Sequence, residues 1–391
     1  MKYLNIGVRS QWSGVRGEAS EVRLATYIQH SIFNIQYYFS LRLCVSAFIL
    51  LMSTHLLHSQ IGGDNVYEFL NLPSSARITA LGGSLIAVRD SDISLAYNNP
   101  AALNKEMHNV ITFNQNFHVA DIRNSYAAYG RHIEKWNSTF HVGFQTINYG
   151  NFQSADEFGN IIGTFQPSEL AITIGAGREL YERMSVGVNV KLVSSTFEAY
   201  NSFGISSDLA AMYYVEDKDF TATLLFKNAG SQISTFRDGN REDLPFEIQL
   251  GISKKLKYLP FRFSITAQHL QQWNLVYDNP NSEDNTFFLG EPVATNDNEW
   301  IDNIFRHFIF SGEFLFGKAE VVNLRFAYNH FLKRELSINN LRSLAGFSAG
   351  LGIKIRRFRF SYGVGVYHIG GSTHHLSLAT NLSEFSRRTK R

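Results

Sequence analysis

Apolar and polar residues alternate in short runs from about residue 109 to residue 382. Phe140, Val142 and Phe144 alternate with His141, Gly143 and Gln145. Val186, Val188, Val190 and Leu192 alternate with Ser185, Gly187, Asn189 and Lys191. Phe220, Ala222, Leu224 and Phe226 alternate with Thr221, Thr223 and Lys227. The same period runs through Phe261 to Ala267, Val322 to Tyr328 and Phe358 to Val366. A strand points successive side chains to opposite faces, so each run has one oily and one polar face. In a soluble sandwich the oily face would be the core. In a membrane barrel it meets lipid, and the polar face lines the lumen.

The connectors favour the barrel. The pattern predicts fourteen strands, at 109–118, 122–131, 138–147, 169–178, 184–193, 203–215, 219–228, 245–254, 260–269, 305–316, 321–332, 343–355, 358–368 and 373–382. Each spans about ten residues, the length a tilted strand needs to cross the hydrocarbon layer. Alternate connectors are tight: 132–137, 179–183, 216–218, 255–259, 317–320 and 356–357. The others are mostly longer and polar, at 148–168, 194–202, 229–244, 270–304 and 333–342, with short exceptions at 119–121 and 369–372. Short turns on one side and long loops on the other mark an outer-membrane barrel. The expected fold class is therefore all-β, a fourteen-stranded antiparallel transmembrane β-barrel over residues 106–385. An even strand count puts both barrel ends on the turn side, expected to be periplasmic, with the long loops outside. Val188 then faces lipid and Asn189 the lumen, so arginine is expected to be worse tolerated at 188 than at 189.

Composition agrees. Phe 32 and Tyr 18 supply aromatics for a lipid-facing band with girdles. Gly 29 with only 7 Pro fits many strands joined by tight turns. The net charge of +2 shows no basic excess, so nucleic acid is not an expected partner, whereas outer-membrane lipid is.

The longest apolar run, Leu43 to Leu57, follows Arg42 and ends at His58-Ser59-Gln60. A basic flank, a short apolar core and a small residue make a secretory signal, and the run is too short for a membrane helix. Residues 1–59 read as a leader and signal peptide removed before Gln60. Residues 1–42 are either an over-extended start or a long export leader. Cys44, the single cysteine, lies inside the signal, so the mature chain is expected to carry no disulfide.

Residues 60–105 are punctuated by Gly62-Gly63, Pro73, Gly82-Gly83 and Asn98-Asn99-Pro100, with short helical pieces at Tyr67 to Leu70 and Ala76 to Leu81. Fourteen strands enclose more space than wall side chains can fill. The apolar content of this segment (Leu70, Leu72, Ile78, Leu81, Leu85, Ile86 and Val88) argues against a solvated periplasmic tail. It is expected to fold into the lumen as a hatch.

Asn99-Pro100-Ala101-Ala102-Leu103, just before the first strand, resembles the Asn-Pro-Ala signature of the FadL-like outer-membrane family. Gln60 to Gly63, Tyr67 to Arg77 and Ala80 to Gly83, with the final His374 to Leu382, are similar to the PorQ family of the type IX secretion system of the Bacteroidetes. The resemblance spans roughly 60–385. It implies a FadL-like barrel with an N-terminal hatch, and a hatch motif at Asn98, Asn99, Pro100 and Ala101. It also implies a role in cargo attachment at the cell surface, anchoring PorZ in a complex with PorU and PorV. The alternative is a FadL-like transporter of hydrophobic small molecules. The basic tail 386–391 departs from the terminal aromatic of many barrels, with Phe385 as the nearest substitute.

Catalytic chemistry is thin. No nucleophile elbow, phosphate-cradling loop or Cys–His pair occurs, so no enzyme, cofactor or metal is expected. His374 and His375 fall on opposite faces of one strand. Asp90 and Asp92 are expected to pair with lumen arginines such as Arg262 or Arg325. The loop 270–304 stands out because Trp273, Tyr277, Phe287, Phe288 and Trp300 sit among seven acidic side chains. Large aromatics anchor protein interfaces, so these five are the candidate partner-binding residues. The alternative is a lid over the barrel mouth.

Overall fold

A computed structural model describes residues 65–275, 299–317, 320–336, 344–368 and 371–386. The leader and signal, Cys44, the basic tail beyond Ser386, and Tyr277, Phe287 and Phe288 lie outside them.

Fourteen strands close into one antiparallel barrel. They are β1 Val110–Phe117, β2 Arg123–Ile133, β3 Ser138–Asn148, β6 Ser168–Tyr181, β7 Met184–Phe197, β8 Tyr200–Val215, β9 Phe220–Ser234, β10 Glu247–Lys255, β11 Phe261–Ala267, β12 Phe308–Phe316, β13 Val322–Asn329, β14 Phe347–Ile355, β15 Phe358–His368 and β16 Gly371–Asn381. Strand β1 pairs with β16, which completes the ring. The remaining two strands, β4 Phe152–Ala155 and β5 Ile161–Phe165, form a separate hairpin within the predicted loop 148–168.

The faces divide as the alternation demands. Phe113, Phe144, Ile174, Val190, Leu224, Phe326 and Phe360 are exposed on the outside, while His141, Gln145, Lys191, Thr223 and Arg325 are buried within. An apolar exterior around a polar interior suits a barrel solvated by hydrocarbon, with every backbone group paired around a ring that has no edge. No described helix is long and apolar enough to cross a membrane.

Boundaries differ where hydrophobicity and pairing part company. Strands β6 to β9 run 14, 14, 16 and 15 residues, so the predicted loop 194–202 is nearly all strand. Ser194, Ser195, Thr196, Asn201 and Ser202 carry no apolar alternation, yet the β7–β8 ladder continues through them to Phe197 and Tyr200. The oily signal ends where lipid-facing side chains are no longer needed, and the hydrogen-bond ladder does not. In the opposite sense, helices occupy Glu299–Arg306 and His330–Glu335, where the alternation had extended strands to 305 and 332. The side chain of Asn329 accepts from Leu332 N at 3.3 Å and starts the second helix.

Residues 65–107 pack inside the ring. The helix Ala76–Ala80 lies against β13 to β16, and the 3-10 turn Pro100–Ala102 lies against β6, β7 and β8. Only the lumen lets one short segment reach both arcs. Three apolar clusters join it to inward wall residues. Ile78, Leu85 and Leu95 meet Met212 and Leu225; Phe69 and Leu70 meet Ile147 and Val193; Ile93 and Tyr97 meet Tyr126 and Ala128. These inward apolar wall positions interrupt the polar lining that a water-filled lumen would have.

Candidate functional site

Three regions carry unusual chemistry: the join between hatch and wall, the loop end and one arc of the outer wall.

The Asn-Pro-Ala stretch packs closely against the wall. The side chain of Asn99 accepts from Ala101 N at 2.9 Å, and its amide donates to Ile86 O at 2.6 Å. One residue thereby caps the turn and ties it to the preceding chain. Pro100 starts the turn, where it needs no amide hydrogen, and Ala101 O accepts from Ser185 Oγ at 2.7 Å. Asn98 is also buried. Wall glycines leave room for this corner. A Cβ on Gly187 would stand 2.2 Å from the carbonyl carbon of Pro100, and one on Gly177 would stand 2.6 Å from its oxygen. These two glycines are mid-strand seats for the hatch. The signal was present, since Gly187 occupies a polar phase of its strand.

A buried charge cluster holds the other arc. Arg77 grips Glu313 of β12 with two bonds, Nε to Oε1 at 2.9 Å and Nη2 to Oε2 at 3.0 Å. Its Nη1 lies 2.8 Å from Asp90 and 3.3 Å from Asp92. Arg325 and Arg262 reach Glu313 at 3.0 and 3.1 Å, and Arg262 also approaches Asp90 at 3.6 Å. Asp90 therefore pairs with Arg262 as the sequence suggested, whereas Arg325 turns to Glu313 instead. Arg77 and Glu313, the hub of the cluster, carry no local sequence signal.

A second polar knot faces β7 and β8. Lys191 Nζ donates to Asp208 and Asn228, both at 2.9 Å, and sits 4.7 Å from the centroid of the Tyr97 ring. Asn189 Nδ2 donates to Ala96 O and to Asp208. His375 shares a hydrogen bond with Thr79 of the hatch at 2.8 Å, while His374 faces outward beside Tyr362. The two histidines do take opposite faces. Among the described residues no group of three His, Cys, Asp or Glu could hold a metal.

The loop end is ordered around Asp302. Its carboxylate accepts from His330 at 2.9 Å and Arg306 at 3.0 Å, and also from Arg334, so it pins the helix Glu299–Arg306 to His330–Glu335. Burial pushes the Asp302 carboxyl up, but the bonds from His330, Arg306 and Arg334 outweigh it and hold the group below the ordinary aspartate range. Asn303 Nδ2 donates to Trp273 O at 2.8 Å, which fixes the strand exit to the same helix. Of the five predicted partner-binding residues, the structure brings Trp273 and Trp300 to this platform, each 66% exposed. The Trp273 ring stacks on His307 at 5.3 Å.

The β4–β5 hairpin forms a second loop-side surface, which the sequence reading missed. Asp156 accepts from Phe158 N and Asn160 N and stiffens its tip. Phe158 is 88% exposed, and Ile161 and Ile162 stand out beside it.

The third region is a groove of about 690 Å³ in the outer wall across β14 to β16 and β1 to β3, with Phe113, Phe144, Leu351, Phe360 and Leu376 among its lining residues.

No protein-family model matches the chain, and no curated protein matches it. Among solved structures, it is similar to the Pseudomonas putida toluene transporter TodX. That match has 10% identity and a TM-score of 0.44, over 79% of this chain and 96% of that one. It is also similar to a Pseudomonas aeruginosa FadL homologue, at 9% identity and a TM-score of 0.45, over 79% of this chain and 98% of that one.

Proposed function

We propose that the chain is an integral outer-membrane barrel, plugged by its own N-terminal segment, whose loop end holds a protein partner at the cell surface. Both barrel ends then lie in the periplasm. The observation that carries this reading is the fastening of the plug. Arg77, Asp90, Asp92 and Asn99 tie it by charge and hydrogen bonds to the wall and to itself, so the lumen serves as scaffold rather than passage. The working surface is then the loop end, where Trp273, Trp300 and the Phe158 hairpin tip expose ordered apolar groups. Large aromatics of this kind are enriched at protein interfaces. The partner class that the resemblance to the PorQ family implies is type IX attachment-complex proteins, PorZ with PorU and PorV.

A second reading, transport of hydrophobic small molecules, is favoured by the apolar groove in the wall. It also agrees better than anchoring does with what the similar barrels are described as doing. One experiment separates the two. Trp273, Trp300 and Phe158 are replaced together by serine, and assembled barrels are assayed for surface retention of PorZ and for uptake of a monoaromatic compound. Release of PorZ with uptake unchanged supports anchoring. Retained PorZ with lost uptake overturns it in favour of transport.

A further inference from the structure

The outer wall is not a uniform oily cylinder. Phe113 of β1 and Phe144 of β3 flank Ala127 of β2 in direct register, so two large outward rings border a small floor. From this floor the groove crosses β16 and β15 to Leu351 and Ile353 of β14. Its loop-side end is polar. Ser125 Oγ donates to Gln115 Oε1 at 2.6 Å, and Thr146 is the next register partner. A hydrocarbon chain gains nothing against such groups. The turn-side end is different. Phe360 lines the groove, Phe358 lies 6.4 Å from it between ring centroids, and Phe385 lies 6.0 Å from Phe358. The Arg357 guanidinium sits 4.8 Å over the Phe385 ring. Exposed Arg356 shares its two-residue turn, between the paired ends Ile355 and Phe358. A ladder of three rings thus joins an apolar groove to two guanidinium groups. Glu384, Asp92 and Glu106 border the same cleft as Arg357, Lys354 and Arg359, so that cleft is balanced and the positive excess at the rim comes from Arg356 at the turn tip.

We infer that this groove binds an anionic phospholipid from the leaflet that meets the turns. The acyl chain lies over Ala127, and the phosphate lies at Arg356 and Arg357. The inference rests on the reading of the chain as an integral membrane barrel. Phe360 is three residue steps along the chain from Arg357, a rise of roughly 10 Å, so a chain hung from a phosphate at the turn follows the rings into the groove. Guanidinium forks suit phosphate oxygens. A zwitterionic lipid carries its own cation and gains less. Two arginines near the surface should give an anionic lipid a preference of about thirtyfold.

The test uses the purified full barrel in mixed micelles with equal phosphatidylglycerol and phosphatidylcholine, and native mass spectrometry counts the retained lipids. The wild type should retain phosphatidylglycerol about thirtyfold over phosphatidylcholine. The double variant Arg356→Gln, Arg357→Gln should fall to near parity while keeping heat-modifiable mobility. Ala127→Phe, which fills the floor, should lower retention of both lipids. Arg356→Gln alone, at an exposed turn tip, should show an intermediate drop and keeps the test readable if the double variant misassembles. Equal retention by the wild type overturns the inference, as does an unchanged preference in Arg356→Gln or unchanged retention in Ala127→Phe. A wild-type chain that fails to float with phosphatidylcholine vesicles overturns the membrane reading itself. Loss of lipid preference in a floating barrel leaves that reading standing.

Discussion

Replacing Glu313 with glutamine keeps the shape of the side chain and removes one negative charge from a buried cluster of arginines and carboxylates. Three arginines, Arg77, Arg262 and Arg325, face three carboxylates, Asp90, Asp92 and Glu313. The substitution leaves one uncompensated positive charge in the lumen, where Glu313 is 2% exposed. Removing one partner from a buried ion pair costs about 3–5 kcal/mol. Asp90 and Asp92 still hold Arg77, and the glutamine oxygen can still accept one bond, so the lower end applies. About 3 kcal/mol is roughly a hundredfold in the folded-to-unfolded ratio. Glu313→Ala, which leaves no acceptor, should reach the upper end. Urea unfolding in detergent, followed by heat-modifiable gel mobility, reads the change, and planar-bilayer conductance reports any loosening of the plug. Glu320→Gln is the control. It breaks only the Lys255–Glu320 pair, both partners of which are about a third exposed, so the effect should stay within about 1 kcal/mol. If Glu313→Gln matched Glu320→Gln, the charge cluster would not be what fastens the hatch.

Gly187→Val should unseat the turn at Pro100 and destabilise by at least about 1–3 kcal/mol, whereas Gly163→Ala, with open space around it, should be silent in the same unfolding assay. Val188→Arg, on the lipid face, should cost about 2–4 kcal/mol. Asn189→Arg should be at least as damaging, contrary to the tolerance expected of a water-filled lumen, because Asn189 is fully buried and bonded to the hatch. The depressed Asp302 carboxyl contributes stability that is complete above the ordinary aspartate range and is lost as pH falls through its folded value. Acid should therefore release the helix Glu299–Arg306, seen as a shift in tryptophan fluorescence from Trp273 and Trp300 that Asp302→Asn abolishes.

The strand count and faces were legible because side-chain direction on a strand has period two and the outer face must stay oily through the membrane. Val186 to Leu192 shows this directly. The plug was legible from its apolar residues and its glycine and proline punctuation. Its fastening was not, because Arg77 and Glu313 lie 236 residues apart and meet only through barrel closure. The hairpin tip was hidden for another reason: a four-residue strand such as β4 carries too few positions for a period to show. Aromatic content marked Trp273 and Trp300 as unusual residues. Their platform depends on Asp302, two of whose partners, His330 and Arg334, come from a separate loop.

The hatch also constrains the order of biogenesis. Ala76 N donates to Ser377 Oγ across 301 positions of sequence, and Thr79 meets His375 across 296. The first part of the described chain to be synthesised therefore waits for the last strand before it can settle. Contacts of such separation are slow to form and leave earlier segments unpartnered meanwhile. Sealing and ring closure become a single late event, so a nascent or C-terminally truncated chain has no seated hatch to protect it, and whatever escorts it to the membrane must shield both together.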